Sequence, residues 1–204
     1  MSVRRYEDWG ERGALPDDGA LVSSDAEARA LVETARRVGE EPPPIGLLGG
    51  DLCRTLGGRG DVARIRSDEG VRLRIDLGRV VADDRPPAWF VAHLVTRAGP
   101  LWGRAWVAMN AEWCGRWCLG PRAHPGDGLL DFSEADLPLG ERLRARSRLP
   151  SGAHLPHPQI RTWRAAAAEV RFERPVGLWL DGSREGRVSV LTVTLEPGAL
   201  LVVV

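Results

Sequence analysis

From Val71 to the C-terminus the sequence keeps returning to alternating or β-branched runs, and this repetition constrains the fold more than any other feature. The runs read VRLRIDLGRVVA, WFVAHLVTRA, GRAWVAMNAE, GLLDFSEADL, AAEVRFERPVGLWLDG, RVSVLTVTLE and GALLVVV, seven in all, with turn residues between them. β-Branched and aromatic side chains at period two suit a pleated, half-buried surface. Seven such segments predict a β-sandwich or a related closed sheet. One polar helix, LGERLRARSRL, interrupts the series. The tail RVSVLTVTLEPGALLVVV is apolar in parts but broken by Glu196, Pro197 and Gly198. It therefore predicts two strands and a turn rather than a bilayer span. Trp89, Trp102, Trp106, Trp113 and Trp117 crowd this region and are expected to fill the sandwich core.

The first third has a different period. After a polar lead-in over residues 1–20, Ser24 and Asp25 stand at an N-cap before AEARALVETARRVG. There Ala28, Leu31, Val32 and Ala35 recur at helical spacing, and Gly39 is placed to end the helix. Pro42 to Pro44 close the segment, IGLL follows as a short buried strand, and Gly49-Gly50 turns into another helix. Helix, strand, turn and helix make a fragment of an α/β layer. The expected fold class is α+β, with an α/β piece over residues 1–65 packed on a C-terminal β-sandwich domain over residues 66–204.

Several chemistries can be weighed from the residues alone. The stretch IGLLGGDLCRTLGG places a glycine turn between strand and helix, a setting that can hold a phosphate or can simply be a tight turn. All 28 basic residues are Arg. The missing Lys excludes a P-loop and any Schiff-base chemistry. Basic and acidic residues balance at 28 each, so net charge points to neither nucleic acid nor an acidic membrane surface. Cys53, Cys114 and Cys118 are an odd number, and no charged start with an apolar core marks an N-terminal signal. A reduced, cytoplasmic setting is expected. Cys114 and Cys118 with His154 and His157 form a zinc-type donor set, but the spacings are poor and a core role for cysteine fits better. No G-x-S-x-G elbow supports a serine hydrolase. Asp127, in the Gly-flanked turn of HPGDGLLDF, suits either a hard cation or a turn leading into a strand. LDGSREG reads as a hairpin turn.

The order of these pieces resembles the diacylglycerol kinase-like bacterial lipid kinases, which include sphingosine-kinase-type relatives. IGLLGGDLCRTLG resembles their PLGxxPxGTGNDxARxLG segment. WVAMNA with CGRWCLGPRAHPGDGLLDF is similar to NxxxxGGGxxxxPxAxxxDGLLDV, and LPHPQIRTWRA to HxxHPxVxxxRA. GLWLDGSREG and VTLEPGALLVVV resemble the family's PVQVDGE…VxVxPGALRVLV end. The likeness runs over roughly residues 22–204.

The resemblance implies an α/β domain that holds ATP through a GGDGT turn, and a β-sandwich that completes a cleft where a lipid hydroxyl is phosphorylated. By that likeness Asp127, flanked by His124 and Leu129, would hold a magnesium ion. Gly49, Gly50 and Asp51 would face phosphate. Asp25 and Asp181 would be catalytic carboxylates. The departures fall on the nucleotide side and at the position of the family's likely catalytic base. The GGDGT turn is Ser23-Ser24-Asp25-Ala26-Glu27 here, GTGND has shrunk to Gly49-Gly50-Asp51, and the glutamate of DGE is Ser183, with Glu185 two residues on. Losing those glycines restricts close backbone approach to phosphates, and a neutral serine hydroxyl is a poor base near neutral pH.

The expectation is a shortened family member that keeps the sandwich and a remnant α/β layer, weak or inactive as a stand-alone ATP-dependent kinase. It would bind a lipid or phosphate-bearing small molecule, or work with a partner chain or second copy, with at most peripheral membrane contact. An active lipid kinase with a rebuilt site built on Asp25, Asp51, Asp181 and Glu185 is the alternative. A purely structural or interaction protein is the third.

Overall fold

Parity along two long strands organises the molecule, which the computed structural model describes over residues 9–99 and 103–204. Strand β4 (Val71–Ala82) pairs antiparallel with β13 (Ser183–Val203) from Leu191↔Ala82 to Val203↔Arg72. Side chains alternate between the faces of a strand. Leu73, Ile75 and Leu77 of β4 accordingly join Leu200 and Val202 of β13 in one core, while Val80 and Ala82 join Leu191 and Val193 in another. The pair is a common wall with an apolar cluster on each side. Burying a Leu or Ile fully contributes roughly 1.5–3 kcal/mol, so neither face can be left uncovered.

The first cluster is covered by the α/β layer. Strands β1 (Glu11–Arg12), β2 (Ala20–Val22) and β3 (Ile45–Leu47) extend the wall, with β2 parallel to β3 and β3 parallel to the end of β13. Helix α1 (Asp25–Arg37) buries Ala28, Val32 and Ala35 here. Its N-cap is Ser24, whose hydroxyl accepts the Glu27 N–H, and Gly39 follows its end at φ +77°. Two short helices, α2 (Gly50–Thr55) and α3 (Val62–Ile65), complete the layer.

The second cluster is the sandwich core. The sheet continues from β13 through β12 (Ala167–Leu180), β6 (His93–Arg97), β7 (Ala105–Met109) and β10 (Leu130–Ala135) to β11 (Ile160–Ala165), and β5 (Ala88–Phe90) pairs with β4. Trp106, Leu130 and Phe132 from the far strands share a core with Val80, Leu191 and Val193, so the sheet curls over itself. A two-stranded ribbon, β8 (Trp113–Cys114) with β9 (Trp117–Cys118), and helix α4 (Leu139–Arg148) lie outside it. The α+β class and the sandwich are as expected from the sequence.

Three local expectations change. The tail is one 21-residue strand, not two strands and a turn. Pro197 and Gly198 fall in a register irregularity between Glu196 and Leu200, where a missing N–H and a φ of +59° at Gly198 do not break the ladder on either side. WFVAHLVTRA divides into β5 and β6, because Val91 and Ala92 turn their N–H groups to a side chain. The tryptophans do not all fill the core. Trp106 is buried, but Trp113 lies 3.3 Å beneath the Arg54 guanidinium and Trp117 5.1 Å beneath Arg146, each half-exposed. Trp102 lies outside the described residues.

Candidate functional site

Where the two layers meet, the β12–β13 hairpin, the start of β6 and the start of α2 converge. Asp181 and Gly182 turn the hairpin at φ +47° and +81°. The Asp181 carboxylate is buried and accepts the N–H groups of Val91, Ala92 and His93 at 2.9, 2.9 and 3.0 Å. Its own N–H returns to the His93 carbonyl at 2.9 Å. The His93 ring then reaches Asp51 on α2, with Nε2 3.0 Å from Oδ2. On the other side of α2, Asp25 at the first turn of α1 accepts the N–H groups of Asp51 at 2.6 Å and Leu52 at 3.1 Å. A continuous hydrogen-bonded path therefore joins Asp25, Asp51, His93 and Asp181.

The charges follow from this packing. Burial, and after it the charge of Asp181, pushes Asp25 up to about 6, against the pull of its two backbone donors. Burial also raises Asp181, opposed by the charge of His93 and the three N–H groups. Burial alone would lower His93, yet the bond to Asp51, then Cys114 and Asp181, raise it to about 11. Burial works against ionised Asp51 as well, and the His93 and Gly115 hydrogen bonds outweigh it, so Asp51 ends below the usual carboxylate range. His93 is thus an imidazolium held between acids.

The glycine turn is explained by its neighbours. A Cβ on Gly49 would lie 2.6 Å from the Ser23 carbonyl oxygen, and one on Gly50 2.5 Å from Asp25 Oδ1. Gly50 also has φ +96°. The two glycines let the turn before α1 press against the turn before α2. Asp25 then takes the two N–H groups that a phosphate would need. The residues as arranged do not fit a nucleotide triphosphate at this turn, because an internal carboxylate already sits there. The later glycines, Gly57 and Gly58, line a polar cavity of about 550 Å³ with Arg59, Arg64 and His124.

The remaining expected residues are elsewhere. Glu185 forms an ion pair with Arg29 of α1 at 2.7 Å. Asp127 accepts the Leu129 N–H at 3.1 Å and is bonded to Arg164, which also meets Asp131 at 3.2 Å. The His124 ring packs on Trp9 at 4.6 Å and accepts the Gly126 N–H. A guanidinium supplies the positive charge at Asp127, so this set as arranged does not fit a magnesium ion. Buried Asp76, unflagged by any motif, accepts the Gly128 and Gly198 N–H groups at 2.8 Å each and ties that loop to β13.

Comparison with known proteins agrees with the architecture. A family model described as the YegS C-terminal NAD kinase β-sandwich-like domain matches residues 101–204. The chain belongs to that family. No curated protein matches it. Among solved structures it is similar to a provisionally named diacylglycerol kinase from Bacillus anthracis str. Sterne, with TM-score 0.71, 12% identity, and 91% of this chain and 77% of that one covered. A diacylglycerol kinase structure from the same organism gives 0.62 at 13% identity, covering 91% and 75%. At such identities the likeness is one of fold.

For this β-sandwich family member, His93 is the site residue that sequence reasoning missed. A histidine inside WFVAHLVTRA reads as core, and nothing local says that its ring crosses to α2. Cys114 was paired in sequence with the wrong partners. Cys118 Sγ turns to Glu112 Oε1 at 3.3 Å, and His157 to Glu141 at 3.6 Å, so the Cys114, Cys118, His154 and His157 set is not brought together.

Proposed function

We propose that the chain is a lipid-binding member of the diacylglycerol kinase-like group that does not act as a stand-alone ATP-dependent kinase. The observation that carries the reading is an apolar cavity of about 190 Å³ between helix α4 and the β6–β7–β10 face. Val95, Val107, Leu119, Leu137 and Leu149 are among its walls. A dry cavity of roughly 150 Å³ can hold a benzene-sized molecule, so this one has room for part of an acyl chain. Arg97, Arg142 and Arg146 also line it, and the buried Arg142 Nε–H has no partner among the described residues. Apolar walls with a few convergent polar groups suit an amphiphile whose head meets the arginines. The occupied α2 turn supports the second half of the proposal.

The test is a fluorescence titration with a diacylglycerol analogue carrying a polarity-sensitive acyl probe. Ala145 lines the cavity, and Ala145→Phe should weaken binding about tenfold or more by filling it. Ala135→Leu, a smaller change on the opposite wall, should show a weaker version of the same effect if the larger one disturbs folding. Equal binding by parent and both variants removes the lipid reading. Transfer of phosphate from ATP to diacylglycerol at on the order of 1 s⁻¹ or faster removes the other half and restores the active-kinase alternative.

A further inference from the structure

Three different donor types meet at the layer junction. Asp51 at the start of α2, His93 at the start of β6 and Cys114 at the end of β8 place one ligand atom each within 4.8 Å of one another. We propose that Asp51, His93 and Cys114 form a binding site for a borderline-soft divalent transition metal of the zinc type, leaving a fourth position open to water or an anionic oxygen. This inference is independent of the lipid reading, which uses a different cavity.

The donor chemistry selects the metal. Thiolate and imidazole are poor ligands for magnesium or calcium, which take oxygen, and good ones for zinc and its neighbours. Zinc bonds run at about 2.0–2.3 Å to nitrogen, oxygen and sulfur, so donors at tetrahedral angles sit about 3.3–3.8 Å apart. His93 Nε2 and Asp51 Oδ2 are already 3.0 Å apart, and Cys114 brings its sulfur within 4.8 Å of a ligand atom of each. Three protein ligands with a vacant fourth position are the pattern of reactive rather than purely structural zinc.

Each ligand is held in place by contacts with its neighbours. Asp25 fixes the start of α2 beneath Asp51. Asp181 fixes the backbone of His93 from both sides of the peptide. The ribbon carrying Cys114 is tied to α2 by four contacts. Gly115 N–H donates to Asp51 at 2.8 Å, Arg54 donates to the Gly115 carbonyl at 3.2 Å, Arg54 covers Trp113, and Glu112 N–H donates to Thr55 Oγ1 at 3.0 Å. Coordination would therefore order little that is not ordered already. Charge points the same way. Asp51 and Asp181 bring two carboxylates to a single imidazole, and its buried Nδ1 has no hydrogen-bond partner among the described residues.

The experiment uses untagged, full-length protein stripped with a chelator and titrated with Co²⁺ as a spectroscopic probe for zinc. The expected result is one equivalent bound, with a thiolate-to-cobalt charge-transfer band in the near ultraviolet and intense visible bands of a four-coordinate ion, both bleached by Zn²⁺. Cys114→Ser, on a partly exposed ribbon, should lose the charge-transfer band and weaken binding at least about tenfold. Cys118→Ser should keep both. Zn²⁺ should raise the parent's Tm and leave that of Cys114→Ser unchanged. Absence of the band in the parent, or a band that survives Cys114→Ser, overturns the site.

Discussion

Asp181 shows how much can rest on one side chain when its hydrogen bonds are to buried backbone. Its carboxylate is the partner of three consecutive N–H groups, Val91 to His93, and its backbone sits at φ +47°. An unpaired buried donor costs about 1–3 kcal/mol. Asp181→Ala should therefore destabilise the protein by about 3 kcal/mol or more, read from urea midpoints. Asp181→Asn should cost visibly less, because asparagine tolerates the left-handed region and keeps one acceptor oxygen. Gly50 offers a sharper comparison. Gly50 and Gly57 both have left-handed φ, +96° and +74°, but among the described residues only Gly50 has a neighbour, Asp25, within reach of a new Cβ. Gly57→Ala should cost about 1 kcal/mol of strain, and Gly50→Ala on the order of 2 kcal/mol or more. Equal losses at the two positions would mean that the contact between the α1 and α2 turns is loose.

Elements that bury one apolar face were legible in the sequence, and elements defined by partners were not. Helix α1 announces itself through Ser24, the spacing of Ala28, Val32 and Ala35, and Gly39. Strand β13 does not, because Pro197-Gly198 looks the same in a sequence whether it ends a strand or kinks one. The difference lies in β4, which continues to pair on both sides of the irregularity. Strand β11 lacks an alternating apolar pattern and exists because β10 offers it a full edge, from Leu130↔Ala165 to Ala135↔Ile160. Helix α4 was readable as polar, but not the cavity beneath it, which needs the sheet face as its second wall. His154 lies on that cavity's lining, just after the turn following α4, and carries a pH signature. Burial holds its ring below the usual 6.5, partly opposed by hydrogen bonds to Leu119 and Gly152. In the unfolded chain the ring gains a proton as pH falls through 6.5, whereas in the folded chain it does so only at a lower pH. The stability it contributes is thus complete above 6.5 and lost as pH falls below it toward the folded value. Urea midpoints at about pH 7.5 and about pH 5.5 should differ less for His154→Gln than for the parent.

At the scale of the whole molecule, two cores share the β4–β13 wall, and the candidate site sits where the covers of those cores meet. That position explains what sequence could and could not show. Asp25, Asp51 and Asp181 were legible because each occupies a turn with a recognisable order of motifs. The way they meet was not, since His93 joins Asp51 to the Asp181 hairpin across more than 40 residues in one direction and about 90 in the other. The same geometry decides the response to nucleotide. A ligand that binds only the folded state raises Tm by mass action, so a family-type ATP site should give a clear shift at millimolar Mg-ATP. Here a phosphate entering the α2 turn must first displace the Asp25 carboxylate, leaving a buried acid beside Asp181 with its two N–H partners gone. The expected result is no shift with Mg-ATP, measured alongside a shift with the diacylglycerol analogue as a positive control. A shift of several degrees with Mg-ATP would require the α1 and α2 turns to part, and the occupied-turn account would fall with it.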